Sequence, residues 1–157
     1  MRKLVMLFVC LLIVVGVSAQ KAKEDKIPAA AKSGFATKFP GAQKVKWGIE
    51  KPGEFEAEFK LNGVATSVLV NAKGEVLETE AGIKESDLPK AVKATIARDF
   101  AGYKLEEIEK STDSKGVTSY EMEAEKTKAK FEISFDSNGK LLAKEPLKEE
   151  KEDGDKK

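Results

Sequence analysis

Asn71-Ala72-Lys73-Gly74-Glu75-Val76-Leu77 returns 65 residues later as Asp136-Ser137-Asn138-Gly139-Lys140-Leu141-Leu142. Upstream, Pro28-Ala29-Ala30-Ala31-Lys32 is answered by Pro89-Lys90-Ala91-Val92-Lys93, and Phe39-Pro40-Gly41 by Phe100-Ala101-Gly102. A unit of roughly sixty residues that occurs twice restricts the architecture more than any single residue does.

Each unit opens on a helical pattern. Ile27, Ala31, Phe35 and Phe39 recur every four residues and predict a helix over 28–39; Leu88, Val92, Ile96 and Phe100 predict a second over 89–100. Proline suits a first helical turn because its missing N–H needs no partner there. Ser86 or Asp87 is the expected cap of the second helix, and Gly41 and Gly102 suit the helix exits.

Strands follow. Val45-Lys46-Trp47-Gly48-Ile49 alternates with its odd positions inward, as does Phe55-Glu56-Ala57-Glu58-Phe59. Asn62-Gly63 is a hairpin signal. Val64–Val70 is a third strand with Thr66, Val68 and Val70 inward, and Glu75–Thr79 a short fourth. In the second unit Tyr120, Met122 and Ala124 match Phe55, Ala57 and Phe59, while Phe131, Ile133 and Phe135 match Thr66, Val68 and Val70. Leu105–Glu109 alternates poorly, with only Ile108 inward, and four extra residues fall in a loop at 111–116. The expected fold is α+β: two tandem repeats, each a helix packed on one face of a three- to four-stranded antiparallel sheet. The other face, carrying Lys44, Lys46, Glu56, Glu58 and Lys60, is left to water.

Arg2 and Lys3 precede an apolar run from Leu4 to Val17, and Val17-Ser18-Ala19 supplies small residues for cleavage. This pattern predicts a signal peptide over 1–19. A charged lead-in follows over 20–26, the repeats over 27–80 and 81–144, and a charged flexible tail over 145–157. Cleavage removes Cys10 and two basic residues, so 28 basic against 27 acidic residues becomes 26 against 27, net −1. Such a balance provides no field for nucleic acid or an anionic membrane. The expected location is periplasmic or secreted.

Phe39-Pro40-Gly41-Ala42-Gln43-Lys44-Val45-Lys46-Trp47, followed by Phe55–Phe59 and by Val70–Leu77, resembles the PepSY-like family of exported bacterial proteins. Their fold is similar to that of the tandem-repeat β-lactamase inhibitor protein. The likeness runs from Ile27 to Leu142. The second unit departs from it, with Ala101 in place of the proline and Ile108 where the first has Trp47. The resemblance implies fold and export and carries over no inhibitory residue.

The chain has no histidine, and its one cysteine lies in the signal. The usual neutral-pH base and the thiolate nucleophile are therefore both missing. No enzyme, cofactor or metal site is predicted. Asp136-Ser137-Asn138-Gly139 has the start of a calcium loop without its distal ligands, so a turn is expected. Trp47 either packs under the first helix with Phe35 and Phe59 or stands exposed as an interface anchor. Tyr103 and Tyr120 carry the same two readings. Glu56 with Glu58 and Glu121 with Glu123 each share a sheet face. Together with Trp47 they form the candidate binding surface, for an unidentified extracytoplasmic protein or peptide. An alternative is a small ligand or divalent cation held by the four glutamates.

Overall fold

The computed structural model describes residues 26–127 and 129–147. The predicted signal peptide, nearly all of the expected lead-in and most of the expected tail lie outside the described residues. The fold is α+β, with two helices and one eight-stranded antiparallel sheet in the order β1 to β8. Along the chain come α1 (Ala29–Lys38), β1 (Gln43–Lys51), β2 (Glu54–Leu61), β3 (Val64–Asn71) and β4 (Val76–Gly82). A 3-10 turn over Glu85–Asp87 leads to α2 (Lys90–Asp99), β5 (Lys104–Asp113), β6 (Thr118–Lys126), β7 (Ala129–Asp136) and β8 (Leu141–Pro146). Among the described residues no helix is long and apolar enough to cross a membrane.

Both helices begin directly after a proline, and the backbone supplies the first bonds: Lys32 N–H donates to Pro28 O and Lys93 N–H to Pro89 O. Neither Ser86 nor Asp87 caps α2. Asp87 instead accepts from Lys84 N–H within the 3-10 turn. Ile27, Ala31 and Phe35 are buried against Phe55, Ala57, Phe59, Val68 and Val70. Leu88, Val92 and Phe100 are buried against Met122, Ala124, Ile133 and Phe135. The two cores have no residue in common, and both lie on one side of the sheet. That shared side follows from strand alternation, since odd positions of β2 and β7 face the same way as even positions of β3 and β6.

Two departures from the sequence reading matter. The fourth strand runs to Gly82 rather than Thr79, and Ser111–Asp113 belong to β5 rather than to a loop. β4 and β5 pair through Thr79↔Thr112, Glu80↔Ser111 and Ala81↔Lys110, which makes one sheet. The poor alternation of Leu105–Glu109 has a local cause. Glu107 has φ 48° inside a register shift between Glu106 and Glu109, so the strand changes phase there. At the far edge β8 extends to Pro146, into the segment read as tail.

The turn after β3, the turn after β5 and the turn after β7 have one design. Asn71 Oδ1 accepts from the N–H groups of Lys73 and Glu75, Asp113 Oδ1 from those of Lys115 and Val117, and Asp136 Oδ1 from those of Asn138 and Lys140. The Asp136 carboxylate thus closes a turn. Two of these turns dock on a helix. Gly74 lies against Ala30 and Gly34, and Gly139 lies against Ala91 and Thr95. Thr95 Oγ1 donates to Gly139 O at 2.7 Å. Thr95→Val keeps the shape and leaves that buried carbonyl without its donor. A loss of about 1–2 kcal/mol is expected in urea unfolding.

Candidate functional site

Even positions of β2 and odd positions of β3 turn away from the helices, and register carries that face across the sheet. Ser67 lies opposite Glu58 on β2 and Glu80 on β4. Glu80 in turn lies opposite Ser111 on β5. Glu121 lies opposite Glu109 on β5 and Ser134 on β7. Glu123 lies opposite Glu106 and Glu132. Glu56, Glu58, Glu121 and Glu123 therefore do share one continuous face. Trp47 does not join them. It pairs with Ala57, on the helix side, and its ring meets Phe35 edge-on at 5.3 Å. Partly buried with the first core, it sits where the packing alternative put it. Tyr103 and Tyr120 likewise pack against the second core.

Although no described helix covers the open face, its middle is sunk among side chains. Glu80 is 7 % exposed, Ser111 2 % and Ser134 3 %. Hydroxyls supply hydrogen bonds: Ser67 Oγ donates to Glu80 Oε2 at 3.0 Å, Ser119 Oγ to Glu121 Oε1 at 3.3 Å, and Ser111 Oγ to Glu78 Oε1. The cations stand apart. Lys130 pairs with Glu123 at 2.6 Å and Lys104 with Glu106 at 2.6 Å. Among the described residues Glu56, Glu78, Glu80, Glu109, Glu121 and Glu132 have no ion-pair partner.

Crowding of like charge away from water favours the neutral acid. Burial, then Glu121 and Glu78, push Glu80 up to about 8. Burial, then Glu132 and Glu78, push Glu121 up to about 7. Burial also raises Glu56, Glu109 and Glu132 above the usual carboxylate range. Among the described residues no three acidic groups stand close enough to hold a metal ion. Chemically, the face can accept many hydrogen bonds, store protons and attract cations.

Sequence reasoning found two of the central carboxylates, Glu56 and Glu121, and missed Glu78, Glu80 and Glu109. The signal is present in Leu77-Glu78-Thr79-Glu80-Ala81, which alternates, but the expected strand ends at Thr79, three residues short of Gly82, and so leaves Glu80 out.

No curated protein matches the chain. Several solved structures share the fold. One from Bacteroides eggerthii, described as "putative periplasmic", superposes with a TM-score of 0.71 at 18% identity, covering 76% of this chain and 88% of that one. A DUF2874 family protein from Bacteroides uniformis gives 0.70 at 18% identity, covering 76% and 89%. A BLIP-like protein from Bacteroides fragilis gives 0.64 at 20% identity, covering 76% and 86%. At these identities the likeness is one of fold. A family model, "Putative beta-lactamase-inhibitor-like, PepSY-like", matches residues 54–143, from the start of β2 into β8. The chain belongs to this PepSY-like family.

Proposed function

We propose that this protein is an exported, non-enzymatic binding module that holds a protein or peptide on its open sheet face. The observation that carries the reading is the face itself: eight strands wide, uncovered by the described helices, and lined by carboxylates and hydroxyls. Two tandem repeats generate it, each a helix and four strands, joined edge to edge through β4 and β5; the recurring helix-docked turns support that reading. Residue chemistry agrees with a non-enzyme, since histidine is missing and the one cysteine sits in the predicted signal. Export to the periplasm or beyond is supported by that signal and by the "putative periplasmic" description of the B. eggerthii protein. Inhibition of an extracytoplasmic hydrolase is one form of the function, supported by the beta-lactamase-inhibitor-like family description.

Capture from the native extracytoplasmic fraction tests the reading, using tagged protein beside a variant with Glu56, Glu58, Glu121 and Glu123 changed to Lys. A partner held by the first and lost by the second is the expected result. No enrichment on folded bait would sink the proposal. The hydrolase form is checked by titration into secreted hydrolases, where no inhibition at micromolar protein removes it for those tested. Calcium calorimetry checks the divalent-cation alternative, and a flat trace removes it.

A further inference from the structure

With its carboxylates ionised, the centre of the open face offers hydrogen-bond acceptors and very few donors. Ser67, Ser111 and Ser119 have already given their hydroxyl hydrogens to carboxylates. A serine that has donated keeps only lone pairs. Cations on this face stand towards its ends, with Lys46 opposite Glu58 near one edge and Lys130 committed to Glu123 near the other. A second, independent feature lies in the same patch. Ser134, 3 % exposed, stands directly across from Glu121, and its Oγ has no hydrogen-bond partner among the described residues. Buried hydroxyls are rarely left in that condition unless something else completes them.

Resting on the reading of this face as a binding surface, we infer that Glu78, Glu80, Glu121 and Ser134 receive a cationic side chain of a protein partner, a lysine ammonium or an arginine guanidinium. Both groups are pure donors, with three and five N–H bonds respectively. Either one supplies the charge that the carboxylates lack and the hydrogen bond that Ser134 Oγ lacks. A fixed set of carboxylates with hydroxyls between them binds such a group by charge-assisted hydrogen bonds. Protons follow by linkage. A cation favours the ionised carboxylates, so its arrival drives protons from Glu80 and Glu121 to the buffer, and affinity rises with pH.

The test uses protein expressed from the full chain and four labelled peptides of one scaffold, bearing lysines, arginines, glutamines or glutamates. Fluorescence anisotropy at about pH 6, 7 and 8 reads the affinity of each. The lysine or arginine peptide is expected to bind at least about tenfold tighter than the other two, and to gain roughly tenfold between about pH 6 and 8. Glu80→Gln with Glu121→Gln should abolish the pH gain and weaken binding by about tenfold, and Ser134→Ala by a few-fold. Glu75→Gln with Glu85→Gln removes equal charge from exposed sites elsewhere and should leave binding unchanged.

Equal loss in that control would overturn the inference, because attraction would then be general. Failure of both cationic peptides to bind would overturn it too, as would spermidine competing as well as the peptide. A glutamine or glutamate peptide bound more tightly, and lost on reversing the four glutamates to Lys, would overturn the cationic choice while upholding the face as a binding surface.

Discussion

Gly34→Ala is expected to cost this protein about 3 kcal/mol or more, although helix propensity alone favours alanine by about 1 kcal/mol. The reason lies in a backbone contact. A Cβ at Gly34 would fall 2.1 Å from Gly74 O, 2.7 Å from Gly74 C and 2.8 Å from its Cα. None of those atoms belongs to a side chain that can swing aside. Either the helix lifts, uncovering Ala31 and Phe35, or the turn after β3 breaks. Gly74→Ala meets the same contact from below, 2.4 Å from Ala30 O, and also holds φ at +89°, where an L side chain is strained. Gly48→Ala is the control, since the nearest atom to its Cβ is Glu56 Oε2 at 4.0 Å; its effect should stay within about 0.5 kcal/mol. Urea unfolding decides the matter. The midpoint should fall steeply for the first two variants at an unchanged slope, and a wild-type midpoint for Gly34→Ala would refute the docking.

The second large effect is a reversed dependence on pH. Glu80 is pushed up to about 8 and Glu121 up to about 7, whereas both ionise near 4.5 in the unfolded chain. Between about pH 4.5 and 8 the folded state holds protons that the unfolded state has released, so stability rises as pH falls. The groups facing Glu80 are Glu121, Glu78, Glu109 and the Ser67 hydroxyl, and none brings a positive charge. A gain on the order of 2 kcal/mol is expected on going from about pH 8 to 5, levelling off outside the window. Thermal unfolding across that range measures it. Glu80→Gln retains an acceptor for Ser67 and cannot ionise. It should be more stable than wild type at about pH 8 and much flatter, with Glu121→Gln removing most of the remainder. A wild-type midpoint that climbs with pH over this window would contradict the burial of these acids.

Local periodicity made much of this fold readable. The four-residue spacing of Ile27, Ala31 and Phe35 placed a helix face correctly, and strict alternation in Phe55–Phe59 and Phe131–Phe135 assigned the core side of two strands. What stayed hidden depends on contacts between distant segments. β4 reads as a short strand running into a loop, and only pairing with β5 gives Glu80 and Gly82 their extended backbone. The bulge at Glu107 reverses the parity that alternation relies on. That Glu56, Glu58, Glu121 and Glu123 share one face was legible because they sit on clean strands, and two of them, Glu56 and Glu121, lie near the acidic centre. Glu80, buried most deeply, was not, because a charged residue is ordinarily read as solvated. Ser134 could not be distinguished by type from any other strand serine.

The cores on either side of β4 and β5 share no side chain, and what joins them is a ladder of Thr79, Glu80 and Ala81 with Thr112, Ser111 and Lys110. On the helix side a groove lined by Lys38, Thr79, Lys110 and Thr112 runs beside the same seam. The middle of the molecule is therefore held by strand pairing and not by a shared apolar cluster. Amide exchange along this seam is expected to outpace exchange in either core, by a sub-global opening that leaves both apolar clusters closed. Because Glu80 stands on that line, exchange at the seam is expected to quicken as pH rises through about 8.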